Sequence, residues 1–125
     1  MTNEIPIKKF DLEERTAEFG KNVVEFAKKI PQNPVTTSII TQLVKSGTSV
    51  GANYCEADDA ESRTDFKHKI SICKKEAREC KYWLEIIMTV VSELKSEAGG
   101  LAQEAKELNL IFNAIVRSTK RNTKN

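Results

Sequence analysis

The sequence predicts an all-α protein, an up-down-up-down four-helix bundle. Three observations predict it. Apolar residues recur at steps of three and four in four separate stretches, the links between those stretches are only a few residues long, and no segment alternates as a strand would. A chain of 125 residues with 39% apolar and 30% charged side chains suits one domain, residues 1–125, whose core needs no covalent staples.

The first ten residues, with Pro6 and little periodicity, read as a loosely held arm. Asp11 with Glu14 forms a capping-box pattern, and Leu12, Phe19, Val23, Phe26 and Ile30 then recur at helical spacing. They predict a first helix over about 11–30, ended by Pro31. Asn33 followed by Pro34 places a cap residue before a proline at the first helical position, where the missing N–H costs nothing. A second helix over about 34–57 follows, and so short a link makes the pair an antiparallel hairpin.

On a helical wheel, where successive residues advance by about 100°, Ile39, Val50, Leu43, Tyr54, Gly47, Ile40, Gly51, Val44 and Cys55 of the second helix share one broad arc. Gly47 and Gly51 lie inside that arc, and a polar stripe borders it: Gln42, Ser46, Ser49, Asn53 and Glu56. Each glycine costs roughly 1 kcal/mol in helix propensity, so the pair is expected to let another helix approach closely. Ser46 and Asn53, expensive to bury unpaired, are expected to bond across to the third helix or to a neighbouring subunit.

The acidic stretch Asp58 to Glu61 is a turn, and Ser62 with Asp65 caps the next helix. This third helix, about 63–94, is the longest. Phe66, Ile70, Cys73, Ala77, Cys80, Leu84, Ile87 and Val91 form an unbroken bundle seam. A second set, Ile72, Trp83, Ile86 and Val90, adjoins it, so more than half the circumference near the C-terminal end is apolar. Either a wide core contact or a subunit interface accounts for that breadth. Gly99 and Gly100 lie in a weakly helical stretch, and Glu97 and Ala98 before them leave the exact position of the next turn open. A fourth helix over about 97–119 continues the seam through Leu101, Ala105, Leu108, Phe112 and Ile115, and residues 117–125 form a polar basic tail.

No run approaches bilayer-spanning length, and MTNEIPIKKF lacks the apolar core of a secretory signal; the expectation is a cytoplasmic protein without membrane contact. Cys55, Cys73 and Cys80 form no CxxC pair and read as buried reduced thiols. The net charge of +2 hides a gradient. Residues 1–62 carry 7 Lys and Arg against 10 Asp and Glu, and residues 63–125 carry 13 against 8.

Helical bundles often hold di-iron centres, which need two Glu-x-x-His motifs. His68 is the one histidine and is preceded by Asp65, so that chemistry and most histidine-based catalysis are excluded. Glu56, Glu76 and Glu79 border the core and suggest a metal-dependent phosphohydrolase as an alternative, weighed against plain ion pairing with Lys69 or Arg78. The expectation is a non-enzyme with no cofactor and no metal. The feature that points to a partner is a row on the third helix. Arg63, Lys67, Lys74, Arg78 and Lys81 fall within about 60° on the wheel, and no acid joins them until Glu85. Such a row suits the phosphates of RNA or DNA; little aromatic interleaving argues against base stacking. A protein-interaction scaffold with no nucleic-acid role is the competing expectation.

Ser46, Thr48, Ser49, Val50, Gly51, Ala52 and Asn53, with Glu56, Ala60, Ser62, Asp65 and Phe66 after them, resemble the central motif of the bacterial 23S rRNA intervening-sequence proteins. The continuation from Lys75 to Ile87, KEARECKYWLEII, is similar to a common branch of that family, and the resemblance spans roughly 20–115. Lys45 stands where many members have arginine. The resemblance implies a four-helix bundle that assembles into a ring, typically a homopentamer, with no catalytic activity to carry over. The family takes its name from reading frames inside insertions of bacterial 23S rRNA genes. Also similar in fold is the accessory protein of diversity-generating retroelements, which works with a reverse transcriptase and nucleic acid. On these grounds Ser46, Gly47, Ser49, Gly51, Asn53, Glu56 and Trp83 are assigned to packing and assembly.

Overall fold

The computed structural model describes residues 11–124, with side chains through Thr119. The expected N-terminal arm and the side chains of Lys120, Arg121 and Lys124 therefore lie outside the described residues. Four helices run in order: α1 (Leu12–Ala27), α2 (Thr36–Asp58), α3 (Arg63–Val90) and α4 (Lys95–Lys124), with a short 3-10 turn, Ser92–Leu94, before the last. Each helix packs extensively against the next, and a thinner α1–α4 contact closes the bundle. No strand occurs among the described residues.

The caps differ in how well the backbone serves them. Ser62 sits in extended conformation and its Oγ accepts from the Asp65 N–H at 3.0 Å. Asn33 Oδ1 accepts from the N–H groups of Val35 and Thr36 at 2.9 and 3.0 Å, and the Asn33 N–H donates back to Thr36 Oγ1 at 3.0 Å. Asp11 makes no side-chain cap bond: its ψ of 43° departs from the extended geometry that aims a cap carboxylate at the first turn. α1 also stops at Ala27, because Pro31 disfavours a helical Ile30; Ile30 still seals the core from the following turn at 3% exposure.

The reversal between α3 and α4 lies at Val91, with φ −126° and ψ 83°, followed by the 3-10 turn. The turn thus comes a few residues earlier than the expected bounds 63–94 and 97–119 put it; Gly99 and Gly100 lie within α4, inside those bounds, and nothing stands within 4 Å of a Cβ built on Gly100. The basic tail is helical as well, since α4 continues through Lys124.

Phe19, Val23 and Phe26 of α1, Leu43 and Val50 of α2, Ile70, Leu84 and Ile87 of α3, and Leu108 and Phe112 of α4 are almost wholly buried. Each such side chain stabilises the fold by about 1.5–3 kcal/mol relative to exposure. Tyr54 and Phe112 meet across the bundle with ring centroids 6.2 Å apart. The α1–α2 crossing is close because it is built on glycine. A Cβ on Gly47 would lie 2.7 Å from Val23 Cγ1, and one on Gly51 would lie 3.2 Å from the Thr16 carbonyl oxygen. The α1–α4 closure is polar at its surface. Arg15 donates twice to Glu104, at 2.7 and 2.9 Å, and once to Glu107 at 3.0 Å, while Lys29 reaches Glu97 at 2.8 Å. These bonds hold the Arg15 guanidinium above its already high ordinary pKa.

Candidate nucleic-acid interface

The basic row stands on α3 because its apolar seam is strict. With Ile70, Ala77 and Leu84 committed to the core, residues about 40–100° further round the axis meet the edge of α4 and the solvent. Arg63 and Arg78 are exposed, and Lys67, Lys74 and Lys81 are half-buried. Lys81 donates to Glu85 at 2.9 Å, an exposed i,i+4 pair that offsets one charge of the row. Arg63, Lys74 and Arg78 make no ion pair among the described residues. The carbonyl of Lys74 accepts from Asn109 Nδ2 at 2.8 Å, which pins the register of α4 against the middle of the row.

Lys81 also borders a groove of about 610 Å³ between α3 and α4, whose other cations are Lys95 and Lys106. These two α4 residues were not among the sequence candidates. The signal was present: applied to the fourth helix, the wheel puts Lys95, Lys106 and Arg117 within about 40° of one another.

On the opposite side of α3, Glu79 and the neighbouring α2 acid Glu56 are engaged. Lys69 donates to Glu56 at 2.6 Å, and that bond raises the lysine's pKa. Trp83 Nε1 donates to Glu79 at 3.2 Å. Burial first, and then the charge of Glu79, lift the Glu76 carboxyl above its ordinary value, with Lys75 and Lys45 opposing. No group of three metal-ligating side chains gathers among the described residues. The Glu56, Glu76 and Glu79 metal site considered from sequence is therefore not assembled.

The polar stripe of α2 also differs from expectation. Ser46, 1% exposed, donates to the Leu43 carbonyl at 3.2 Å, and Asn53 Nδ2 donates to the Ser49 carbonyl at 2.9 Å. Both of these bonds run to carbonyls about one turn back on α2. The Ser46 hydroxyl also reaches α3, as expected for it, where it moderates the Cys80 thiol; burial nonetheless pushes Cys80 and Cys73 up to about 12. Cys55, expected to be buried, is exposed. It stands at the far edge of the arc that the wheel assigned to it and borders the outer mouth of the glycine crossing. His68 is exposed, as its polar surroundings suggest.

The outer apolar face of α3 is only partly covered. Trp83 packs against the core and against Tyr82, edge-on with centroids 4.9 Å apart; Tyr82 is 54% exposed and Val90 41%.

The family model described as 23S rRNA-intervening sequence protein matches residues 8–114. The chain belongs to that family. A solved structure similar to this intervening-sequence protein is a protein of unknown function from the S23 ribosomal protein family of Bacteroides thetaiotaomicron. It is 31% identical with a TM-score of 0.76, over 83% of this chain and 96% of that one. No curated protein matches the sequence. In this intervening-sequence protein, the motif from Ser46 to Phe66 forms the glycine crossing with α1, the seam with α3 and the cap of α3. No helix among the described residues is long and apolar enough to cross a membrane.

Proposed function

We propose that this intervening-sequence protein is a non-enzymatic, cytoplasmic, self-associating bundle that binds RNA or DNA through the basic face of α3. The observation that carries the reading is the row Arg63, Lys67, Lys74, Arg78 and Lys81, which no acid joins until Glu85, one turn beyond Lys81. Cations on a helix neutralise phosphates and release condensed counterions, so binding strengthens steeply as salt falls. The names of the family and of its solved relative, which refer to 23S rRNA and to a ribosomal protein, agree with this partner class.

The test is fluorescence anisotropy with labelled RNA and DNA at low salt, comparing wild type with the Lys74→Glu, Arg78→Glu double variant. Salt-sensitive binding that the double variant abolishes supports the proposal. No binding at low salt, or binding indifferent to these changes, overturns it and leaves the scaffold reading.

Self-association rests on a separate observation, the half-covered set Trp83, Ile86 and Val90 beside exposed Tyr82. A homopentamer is the form the family resemblance implies. Sedimentation of wild type is expected to give an oligomer, and Ile86→Glu with Val90→Glu a smaller species. A wild type that remains monomeric at all concentrations rejects this part.

A further inference from the structure

We infer that the basic row of α3 is one rail of a two-rail groove whose second rail is Lys95, Lys106 and Arg117 of α4, and that its occupant is a nucleic-acid duplex held by the phosphates of both strands. The inference rests on the nucleic-acid reading above and narrows it.

The argument begins with how α4 sorts its charges. Glu97, Glu104 and Glu107 lie on one side of the helix and are engaged by α1, through Lys29 and Arg15. Lys95, Lys106 and Arg117 lie on the other side, are exposed, and make no ion pair among the described residues. α3 sorts its charges in the mirror sense. Glu79 faces away from α4 to accept from Trp83, and Lys69 on that side is bonded to Glu56 of α2. Both helices therefore turn their cations toward the seam they share, and Glu85 is the one acid lining the groove there.

The register makes the rails run side by side. Asn109 Nδ2 on the Lys74 carbonyl sets the level. At about 1.5 Å per residue, Arg117 then stands roughly 12 Å along the axis, abreast of Lys67. In the other direction, Lys106 and Lys95 flank Lys81 around the same groove. Neither rail depends on the other for its fold, since both helices are held by their seams.

Two lines of cations beside a groove match two lines of phosphate. A single strand offers one such line, and proteins that hold single strands stack the bases on aromatic rings. The groove is lined by Met88, Gly99 and Ala102 with no aromatic residue. The exposed ring nearest on α3, Tyr82, is packed edge-on against Trp83 and does not line it. Recognition by shape and backbone, without base contacts, is the mode that duplexes allow.

The experiment titrates a labelled blunt 20-base-pair RNA duplex, the matching DNA duplex and the RNA single strand against wild type, Lys106→Gln with Arg117→Gln, Lys74→Gln with Arg78→Gln, and a charge-matched control on α1, Lys21→Gln with Lys28→Gln. Thermal melts establish that each variant is folded. The expected result is a duplex preference of tenfold or more in wild type. Each rail variant is expected to lower the slope of log affinity against log salt by about 2, at ~0.9 per phosphate contact, with the control unchanged. The duplex arms distinguish RNA from DNA as the source of the paired backbones. Loss in the α3 variant with an unchanged α4 variant overturns the second rail while the proposed function stands. A single strand bound as tightly as either duplex overturns the duplex assignment. Indifference to both rails rejects this inference and the reading beneath it.

Discussion

Gly47→Ala tests the geometry on which the α1–α2 hairpin is built. The added Cβ would stand 2.7 Å from Val23 Cγ1 and 3.0 Å from Val23 Cβ. Val23 is fully buried, and a β-branched side chain in a helix has essentially one rotamer, so it cannot swing clear. α1 must back away from α2 by a few tenths of an ångström along a packed seam. Inserting a methyl-sized group into a filled core costs about 1–3 kcal/mol. Replacing glycine by alanine inside a helix returns about 1 kcal/mol. The net expectation is destabilisation by about 1 kcal/mol. Gly100→Ala supplies the reference, because nothing lies within 4 Å of its Cβ. There the propensity gain stands alone, and the variant should be stabilised by about 1 kcal/mol. Urea denaturation at one fixed protein concentration reads both, as shifts of midpoint at constant m. Val23→Ala removes the two clashing methyls, so in the Gly47→Ala background it should cost less than in wild type. A Gly47→Ala midpoint raised as far as that of Gly100→Ala, with no coupling to Val23→Ala, would refute the close-crossing argument.

Three further outcomes are expected. Arg15→Ala breaks the bidentate clamp on Glu104; with both side chains about one-third exposed, the loss should be about 1 kcal/mol and shrink in high salt, read by denaturation at two ionic strengths. Glu76 binds its proton more tightly in the folded state, so its contribution is full below the ordinary value of 4.5 and is lost as pH rises through that value to the raised one. Glu76→Gln should therefore raise the melting temperature at pH 7 and give no advantage near pH 3.5. In native protein at neutral pH, a thiol reagent should titrate Cys55 alone, because Cys73 and Cys80 are buried and pushed up to about 12, and all three should react in denaturant.

Periodicity made the helices legible, because a seam such as Phe66 to Val91 is dictated by burial on one face. Capping was legible only where local backbone geometry agreed with residue type. Ser62 and Asn33 cap as their types suggest, and Asp11 does not, since nothing in residue type specifies its ψ. The turn after α3 was placed a few residues late for a related reason: the reversal at Val91 is made by ordinary negative-φ geometry that no residue type announces. The α3 half of the basic surface was visible as a row. Its α4 half lay on the wheel too, but Lys106 and Arg117 gain meaning only when Asn109 fixes which side of α4 faces α3. The bonds of Ser46 and Asn53 were likewise beyond a wheel, which places a residue on a face but does not choose between two carbonyls.

The thin α1–α4 closure has a consequence for how the molecule can breathe. The two hairpins resemble the covers of a book: α1 with α2 forms one, α3 with α4 the other, and the broad α2–α3 seam is the spine. Fluctuations that part the covers begin where Arg15 and Lys29 latch the fore-edge, and amide exchange should register them first along α1. Both cationic rails belong to a single cover. Opening the book therefore leaves their spacing as it was, so the surface offered to a partner is insulated from the softest motion of the fold.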